Sequence, residues 1–244
     1  MLRQGKRMLL GIKSTKVILL RHAVMAVIGF GLVYLVWSVN ETWSPDMRLW
    51  KAFGGGSFFL LWFAMFIGPV AKIWRPLQRL VSYRREAGVW FFLIALVHGY
   101  LILDGWVRWS VWEFFGYQYI AEIDTYLRVE SGFGLANLVG LVALVFAATL
   151  AATSFDRAVN WLGISSWKWL HMLALVIFYL GVIHVVYIAF IHYTPSLTRA
   201  MQGLPTNYPE NPLRFYYLAA FLTVLFAQIW AFIKTVRSQR KVDW

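Results

Sequence analysis

The chain has 244 residues, of which 60% are hydrophobic, 18% aromatic and only 14% charged. A soluble globular domain carries about 25% charged residues, so this composition excludes an ordinary water-soluble surface. The chain contains no cysteine, which excludes disulfides, thiolate metal sites, iron–sulfur clusters and a cysteine nucleophile and leaves its five histidines as the main candidate metal ligands.

Six apolar runs, taken in chain order, predict membrane-spanning helices. A transmembrane helix needs about 20 mostly apolar residues, and the runs extend over approximately residues 17–37, 57–74, 88–103, 133–153, 167–191 and 215–233. Six buried helices of a soluble protein are excluded, because no polar faces remain to cover them. The sequence therefore predicts an all-α membrane protein, a bundle of six transmembrane helices. We expect residues 1–244 to form a single domain with its core at about residues 17–235.

Lys and Arg concentrate in the segments that an even number of helices places on one side of the membrane. Seventeen of the 23 basic residues lie in the N-terminal arm, the second and fourth loops and the C-terminal tail, whereas eight of the 11 acidic residues lie in the other three loops. The two sides therefore carry +14 and −2, and the positive-inside rule predicts that both termini are cytoplasmic. The same rule accounts for the net charge of +12 without a nucleic-acid partner. The first apolar run is long enough to span, so we expect no cleaved signal peptide.

Two segments on the predicted outer side give weaker indications of local structure and of ligand binding. Residues 104–132 form the longest connection, and their Trp, Tyr and Phe side chains favour the headgroup zone, so we expect a short interfacial element there. Gly54 to Gly56 precede an apolar run and are a weak candidate for a phosphate-binding loop. No G-x-G-x-x-G strand–helix unit is present and about ten residues follow the sixth run, so we expect no soluble flavin or nicotinamide domain.

Histidines at membrane depth are the strongest candidates for a functional site, because an ionisable residue there is costly. His98 and His184 fall in the outer half of the third and fifth predicted helices, at similar depth. His171 lies 13 residues before His184, roughly 20 Å nearer the inner face, and His22 is the other histidine on that side. The histidines thus lie at two depths in the predicted membrane, which is the arrangement that two stacked haems would require. We expect His98 and His184 to be the outer ligands, and His171 and His22 the inner ones.

Each of these histidines also has a structural alternative. A lone membrane histidine often forms a hydrogen bond between helices, and the polar neighbour of His22, Arg21, leaves the role of His22 open. His192, at the outer boundary, is expected to be an interfacial surface residue and not a ligand. An ideal helix would place His171 and His184 about 220° apart. They should therefore meet different partners unless the helix bends.

Two blocks of sequence carry a family resemblance. In the first, GPVAKIWRPLQRLVSYRREAGVWFFLIALVHGYLIL, a basic pair, Arg84 and Arg85, precedes a glycine and then His98. The second, ATSFDRAVNWLGISSWKWLHMLALVIFYLGVIH, ends with His171 and a second histidine, His184, 13 residues further on. Both blocks resemble the ferric reductase-like transmembrane domain superfamily. Within it they most resemble the MsrQ subfamily, the haem-binding partners of the periplasmic methionine sulfoxide reductase MsrP.

The resemblance implies a cofactor and partners. It implies haem b, in one or two copies, with FMN as an additional cofactor, and a periplasmic molybdenum reductase similar to MsrP as electron acceptor. It also implies the bacterial inner membrane as the location. Arg84 lies almost below His98 on one helical face and, with Arg85, is a candidate to pair with a haem propionate. Topology determination and binding of lipid headgroups are the alternatives for this basic pair.

Function follows from what the chain contains and what we expect it to lack. Without a flavin domain of its own, the protein would receive electrons from a separate cytoplasmic flavin reductase or from a quinol. The leading hypothesis is an electron-transfer subunit that carries electrons across the membrane to an acceptor on the outer face. The first alternative is a quinol-oxidising cytochrome b that anchors another respiratory enzyme. The second is a transporter or scaffold without redox activity, in which the histidines are structural.

Overall fold

The computed structural model describes residues 2–129, 132–192 and 211–239, with side chains from residue 15 onward. Some of the basic residues behind the charge argument fall outside the described side chains, namely Arg3, Lys6, Arg7, Lys13, Arg199, Arg240 and Lys241. The cytoplasmic location of the termini therefore stays a prediction from the charges.

Helices account for most of the described chain. They are α1 (Leu2–Val39), α2 (Pro45–Ile73), α3 (Arg84–Leu101), α4 (Val111–Phe114), α5 (Phe133–Ala152), α6 (Asp156–Leu162), α7 (Ile164–Leu170), α8 (Leu173–Val186) and α9 (Arg214–Gln239). A 3₁₀ segment, Arg75–Tyr83, leads into α3, and π-helical turns at Ile102–Trp106 and Tyr187–Ile191 continue α3 and α8. A hairpin joins β1 (Tyr117–Ile120) to β2 (Thr125–Arg128) in antiparallel register, with Tyr117 opposite Arg128.

The prediction of six membrane spans is confirmed for the described residues. The helices that are long and apolar enough to cross a membrane are Thr15–Val39, Pro45–Ile73, Arg75–Trp106, Phe133–Ala152, Ile164–Ile191 and Arg214–Gln239. The second begins 12 residues earlier than the apolar run suggested, because Arg48, Lys51 and three glycines lower the local hydropathy without interrupting the helix. Pro45 occupies the first helical turn, and the Ser44 hydroxyl accepts a hydrogen bond from the amide of Met47, which fixes this start.

Helix α2 lies at the centre of the bundle. It packs against α1, α3, α8 and α9, and half of its most apolar window is buried, against 28% or less in each other span. The largest cluster of buried side chains surrounds it, and Phe178 of α8 is fully buried there. Because lipid solvates apolar surface as well as the protein interior does, close packing and hydrogen bonds between helices hold such a bundle together.

Three consecutive glycines allow this close packing around α2. A Cβ atom added to Gly55 would lie 2.6 Å from the hydroxyl oxygen of Tyr217 on α9, and one added to Gly56 would lie 2.7 Å from a methyl of Val33 on α1. Both distances are shorter than a carbon atom tolerates. The triplet therefore lies inside a helix and serves helix packing; it does not form a phosphate-binding loop.

The connection between α3 and α5 forms a compact aromatic unit. It contains α4 and the β1–β2 hairpin, and the strands were not predicted from sequence. Trp112 of α4 stacks on Tyr126 of the hairpin at 5.4 Å. The hydroxyl of Tyr119 donates a hydrogen bond to Asp124, which raises the pKa of the phenol because the bond favours its protonated form. Stacked rings and hydrogen bonds thus order a segment whose composition suggested only an interfacial element.

The fifth span is interrupted where the sequence prediction assumed an ideal helix. His171 and Met172 form a turn between α7 and α8, and the amide of Met172 bonds three residues back to the carbonyl of Trp169. A tighter turn of this kind changes the rotation per residue. The angle of about 220° between His171 and His184 therefore does not carry over to the folded chain.

Candidate functional site

Two histidines face each other inside the bundle, and we call them the facing pair. His98 lies near the end of α3 and His184 near the end of α8. Their ring centroids are 6.4 Å apart and the ring planes are inclined at 75°. The expectation that these two residues meet at one depth, made from their positions in the third and fifth helices, agrees with this geometry.

Each ring of the facing pair is held by a backbone carbonyl of a neighbouring helix. The Nδ1 atom of His98 lies 3.0 Å from the carbonyl oxygen of Trp50 on α2. The Nδ1 atom of His184 lies 2.8 Å from the carbonyl oxygen of Ala136 on α5. A carbonyl only accepts hydrogen bonds, so Nδ1 carries the hydrogen in both rings. In the neutral form of each ring, this arrangement leaves the lone pair on Nε2, which is the nitrogen that could bind a metal.

A glycine follows each of these carbonyls by four residues. A Cβ atom added to Gly54, four residues after Trp50, would lie 3.0 Å from Cε1 of His98. One added to Gly140, four residues after Ala136, would lie 3.2 Å from Nδ1 of His184. In a helix, Cα–Cβ bonds point towards the N-terminus, so a side chain at this position would cover the carbonyl one turn earlier. Glycine leaves room for the ring and access to its acceptor.

The facing pair lines a cavity of about 390 Å³ between α2, α3, α5 and α8. This volume falls in the range of about 300–1,000 Å³ that is usual for small-molecule sites. Most of its wall is apolar, with Phe58, Leu61 and Phe91 among the lining side chains. Lys51 lines it as well, and among the described residues it is the only lining side chain that is Lys, Arg, Asp or Glu. The cavity and the two candidate ligands, His98 and His184, thus coincide in the fold.

The predicted inner pair, His171 and His22, is arranged differently. The Nε2 atom of His171 lies 3.2 Å from the hydroxyl oxygen of Thr153, and its ring stacks on Trp167 with centroids 4.0 Å apart. His22 lies on α1, and within the described part of the chain it forms no ring contact with His171. The structure brings the facing pair together, whereas among the described residues it shows no such contact between His171 and His22. Their role as inner ligands stays a prediction.

The two candidate arginines also lie away from the cavity wall. The Nε atom of Arg84 donates to the carbonyl oxygen of Ala64 on α2 at 2.8 Å. The Nε atom of Arg85 donates to the carbonyl oxygen of Ser154 at 2.6 Å, and its guanidinium forms an ion pair with Asp156 at 2.6 Å. Neither arginine lines the cavity that contains the facing pair. In this arrangement both side chains connect α3 to neighbouring segments.

His192 is not the surface residue that was expected. Only 5% of it is exposed, and its ring lies 5.3 Å from Phe133, 5.5 Å from Trp106 and 5.9 Å from Tyr187, measured between centroids. Its position at a membrane boundary suggested exposure to solvent, but the rings of Trp106, Phe133 and Tyr187 surround it. Trp106 and Phe133 also line the cavity, whereas His192 does not.

Several groups of the site were missed in the sequence. The carbonyls of Trp50 and Ala136 leave no trace in side-chain identity, so no pattern of residue types would have found them. Gly54 and Lys51 precede the second apolar run, so hydropathy alone predicts them outside the helix that contains them. A glycine beside an apolar run in a membrane helix is the signal that points to close approach.

Comparison with known proteins places the chain in a family. The chain is 28% identical over 153 residues to the protein-methionine-sulfoxide reductase heme-binding subunit MsrQ of Polaromonas naphthalenivorans (strain CJ2). That alignment covers 63% of this chain and 64% of the relative, so it spans a little less than two thirds of the relative's length. No solved structure matches the chain. The family described as ferric reductase like transmembrane component matches residues 53–182, which contain α3, α5, most of α2 and most of α8. This match covers more than half of the chain, which therefore belongs to the ferric reductase-like transmembrane family.

Proposed function

We propose that the protein is a haem-binding subunit that transfers electrons within a membrane, in which His98 and His184 would hold the haem iron. The single observation that carries the proposal is the facing pair itself: two imidazoles with ring centroids 6.4 Å apart, each with Nδ1 held by a carbonyl. A metal about 2.0 Å from each imidazole nitrogen places the ring centres about 6 Å apart. The distance between the rings therefore suits one metal ion between them.

The composition of the site supports haem over a bare metal ion. Among the described residues there is no group of three or more His, Asp or Glu side chains around one point. Two protein ligands are too few for the usual four-coordinate zinc site, but they suffice for an iron whose other four ligands come from a porphyrin. The apolar cavity of about 390 Å³ beside the pair is suited to a flat apolar macrocycle.

Bound haem would supply one-electron chemistry through its iron. The residues of this chain have separate tasks around it. The carbonyls of Trp50 and Ala136 would hold the two Nδ1–H groups, which fixes the tautomer and leaves both Nε2 atoms available to bind the iron. Phe58 and Phe91 keep water out of the cavity. An iron held by both His98 and His184 would have no position left for a substrate, which favours electron transfer over reaction with a substrate.

The direction of electron transfer is proposed from the charge difference between the two sides of the membrane and from the name of the similar protein. The +14 and −2 sides place the termini in the cytoplasm under the positive-inside rule, which puts the facing pair nearer the periplasmic face. We propose a cytoplasmic flavin reductase or a quinol as donor. The similar protein is named as the heme-binding subunit of a methionine sulfoxide reductase, so we propose a periplasmic reductase of that kind as acceptor, and the bacterial inner membrane as location.

A second haem between His171 and His22, and FMN as a further cofactor, remain proposals that rest on sequence alone. An inner haem would require His171 to exchange its contact with Thr153 for a metal. Haem stoichiometry decides this question: one haem per chain assigns the cofactor to the facing pair, and two would place the second at the inner level.

Electron transfer itself is tested in vesicles. The purified protein is reconstituted into liposomes that contain ferricyanide, and reduced FMN is added outside. We expect reduction of the trapped ferricyanide by wild type and no reduction above empty vesicles by His98→Ala. His192→Phe removes a buried histidine that does not line the cavity, and it should retain transfer. Protein that binds haem but moves no electrons across the vesicle membrane would contradict the proposal.

A further inference from the structure

Tyr217 of α9 carries a buried hydroxyl at the wall of the cavity beside the facing pair. The residue lines this cavity and is only 6% exposed. Its ring is fixed by Phe58, at 5.4 Å edge to face, and by Phe59, stacked at 5.5 Å. Among the described residues, no hydrogen bond involves the hydroxyl. A buried hydroxyl without a partner is costly, so its partner is to be sought in what the cavity binds.

The hydroxyl of Tyr217 lies against α2 at the level of the facing pair. A Cβ atom added to Gly55 would lie 2.6 Å from the hydroxyl oxygen, so glycine makes room for it. The preceding residue, Gly54, makes room in the same way for the ring of His98, and both glycines line the cavity. Consecutive residues of a helix differ by about 1.5 Å in height. The phenol and the candidate ligand therefore reach α2 at almost the same depth.

The cavity has a polar end and an apolar interior. Of six consecutive spans, the second, fourth and sixth begin on the side where the third and fifth end. Asn137 lies four residues into α5 and Tyr217 three residues into α9, so both lie at the end that the facing pair occupies. Further along these spans the wall is apolar, with Ala143 on α5 and Leu61 on α2. Ala143 lies about 9 Å deeper than Asn137. A ligand with one polar edge would therefore bind in one orientation.

We propose that Tyr217 donates a hydrogen bond to a carboxylate of the cofactor held by His98 and His184, and so orients that cofactor with its carboxylates at the polar end. This inference rests on the proposed function, because haem b is a flat apolar macrocycle with two carboxylates at one edge. The apolar interior suits the macrocycle, and the polar end suits its carboxylates. A hydrogen bond to an ionised acceptor is about twice as strong as one between neutral groups. Tyr217 would therefore favour a porphyrin with free carboxylates.

Titration of the cofactor-free protein with two porphyrins tests the proposal. The full chain in detergent is titrated with iron protoporphyrin and with its dimethyl ester, which lacks the negative charges, and binding is followed in the Soret region. Tyr217→Phe removes the hydroxyl and keeps the ring, and it should weaken binding of the free acid by roughly tenfold or more. Binding of the ester should weaken by about threefold or less, because an ester carbonyl accepts only a neutral hydrogen bond.

The matched control is the neighbouring tyrosine of α9. Tyr216 is 64% exposed and does not line the cavity, so Tyr216→Phe should bind both porphyrins as wild type does. Thermal unfolding of the cofactor-free proteins separates binding from folding. Tyr217→Phe should melt no lower than wild type, because it removes a buried hydroxyl that has no partner among the described residues. Wild type itself should bind the free acid more tightly than the ester, a comparison that needs no variant.

Several results would overturn the role of Tyr217 and leave haem binding by the facing pair standing. They are wild-type affinity for the free acid in Tyr217→Phe, equal weakening of both porphyrins in that variant, and an equal loss in Tyr216→Phe. Equal binding of the two porphyrins by wild type would overturn it as well. A lower melting temperature of cofactor-free Tyr217→Phe would show that the hydroxyl serves the fold instead. Failure of wild type to bind either porphyrin would overturn the proposed function together with this inference.

Discussion

A single methyl group placed at Gly54 should disturb the site more than its size suggests. A Cβ atom there would lie 3.0, 3.2 and 3.3 Å from Cε1, Nδ1 and Nε2 of His98. Unstrained contacts to carbon begin at about 3.5 Å, so the ring must retreat by about 0.5 Å. Metal–ligand distances tolerate only about 0.2 Å. Gly54→Ala should therefore weaken haem binding.

The size of this effect follows from the cost of moving the ring. An off-rotamer side chain costs about 0.5–1.5 kcal/mol, which corresponds to a two- to tenfold loss of affinity. The proper control is Gly88→Ala on α3, because a Cβ atom there meets nothing within 4 Å. Both variants replace a helical glycine with alanine. That replacement by itself stabilises a helix by about 0.5–1 kcal/mol. The difference between the two variants thus isolates the contact with His98.

The assay is a haem titration of both variants together with their thermal unfolding. We expect weaker haem binding by Gly54→Ala, wild-type binding by Gly88→Ala and no loss of thermal stability in the cofactor-free Gly88→Ala protein. Equal haem affinity in Gly54→Ala, Gly88→Ala and wild type would refute the claim that this glycine makes room for the ligand.

Further predictions concern the inner face and the core. His22→Ala and His171→Ala should each leave the spectrum of the haem on the facing pair intact; if wild type binds two haems, the stoichiometry of each variant should fall to one. Arg85→Gln breaks an ion pair with Asp156, whose side chain is 72% exposed, and should change stability by less than about 1 kcal/mol, as measured by thermal unfolding; a larger loss would show that this contact holds α3 in place. Phe178→Ala empties a fully buried position against α2 and should destabilise the bundle by about 3 kcal/mol, seen as a lower melting temperature; an unchanged melting temperature would contradict the central position of this core.

Much of the architecture was readable from hydropathy because a bilayer permits few ways to satisfy the backbone. The six spans and the shared depth of His98 and His184 follow from run length and position alone. The start of α2 was placed too late, since Arg48 and Lys51 lower the hydropathy of a segment that is nevertheless helical. A cation that lines a cavity and a cation in a loop look alike in sequence, and only the folded arrangement separates them.

The details of the site depend on contacts between segments far apart in the chain. The carbonyls of Trp50 and Ala136 are each 48 residues from the histidine that they hold. The burial of His192 depends on ring contacts with Trp106 and Phe133, which lie far from it in the chain. The turn at His171 changes the helical rotation that the spacing argument assumed. Each of these features is tertiary, so local residue type could not indicate it.

The spectrum of the purified chain tests the central claim most directly. Wild type should bind haem and show the low-spin signal of an iron ligated by two imidazoles, in optical absorption and in electron paramagnetic resonance. His98→Ala and His184→Ala, prepared in parallel, should each lose that signal. Purified wild type without bound haem, or an unchanged low-spin signal in either variant, would contradict the assignment of the facing pair.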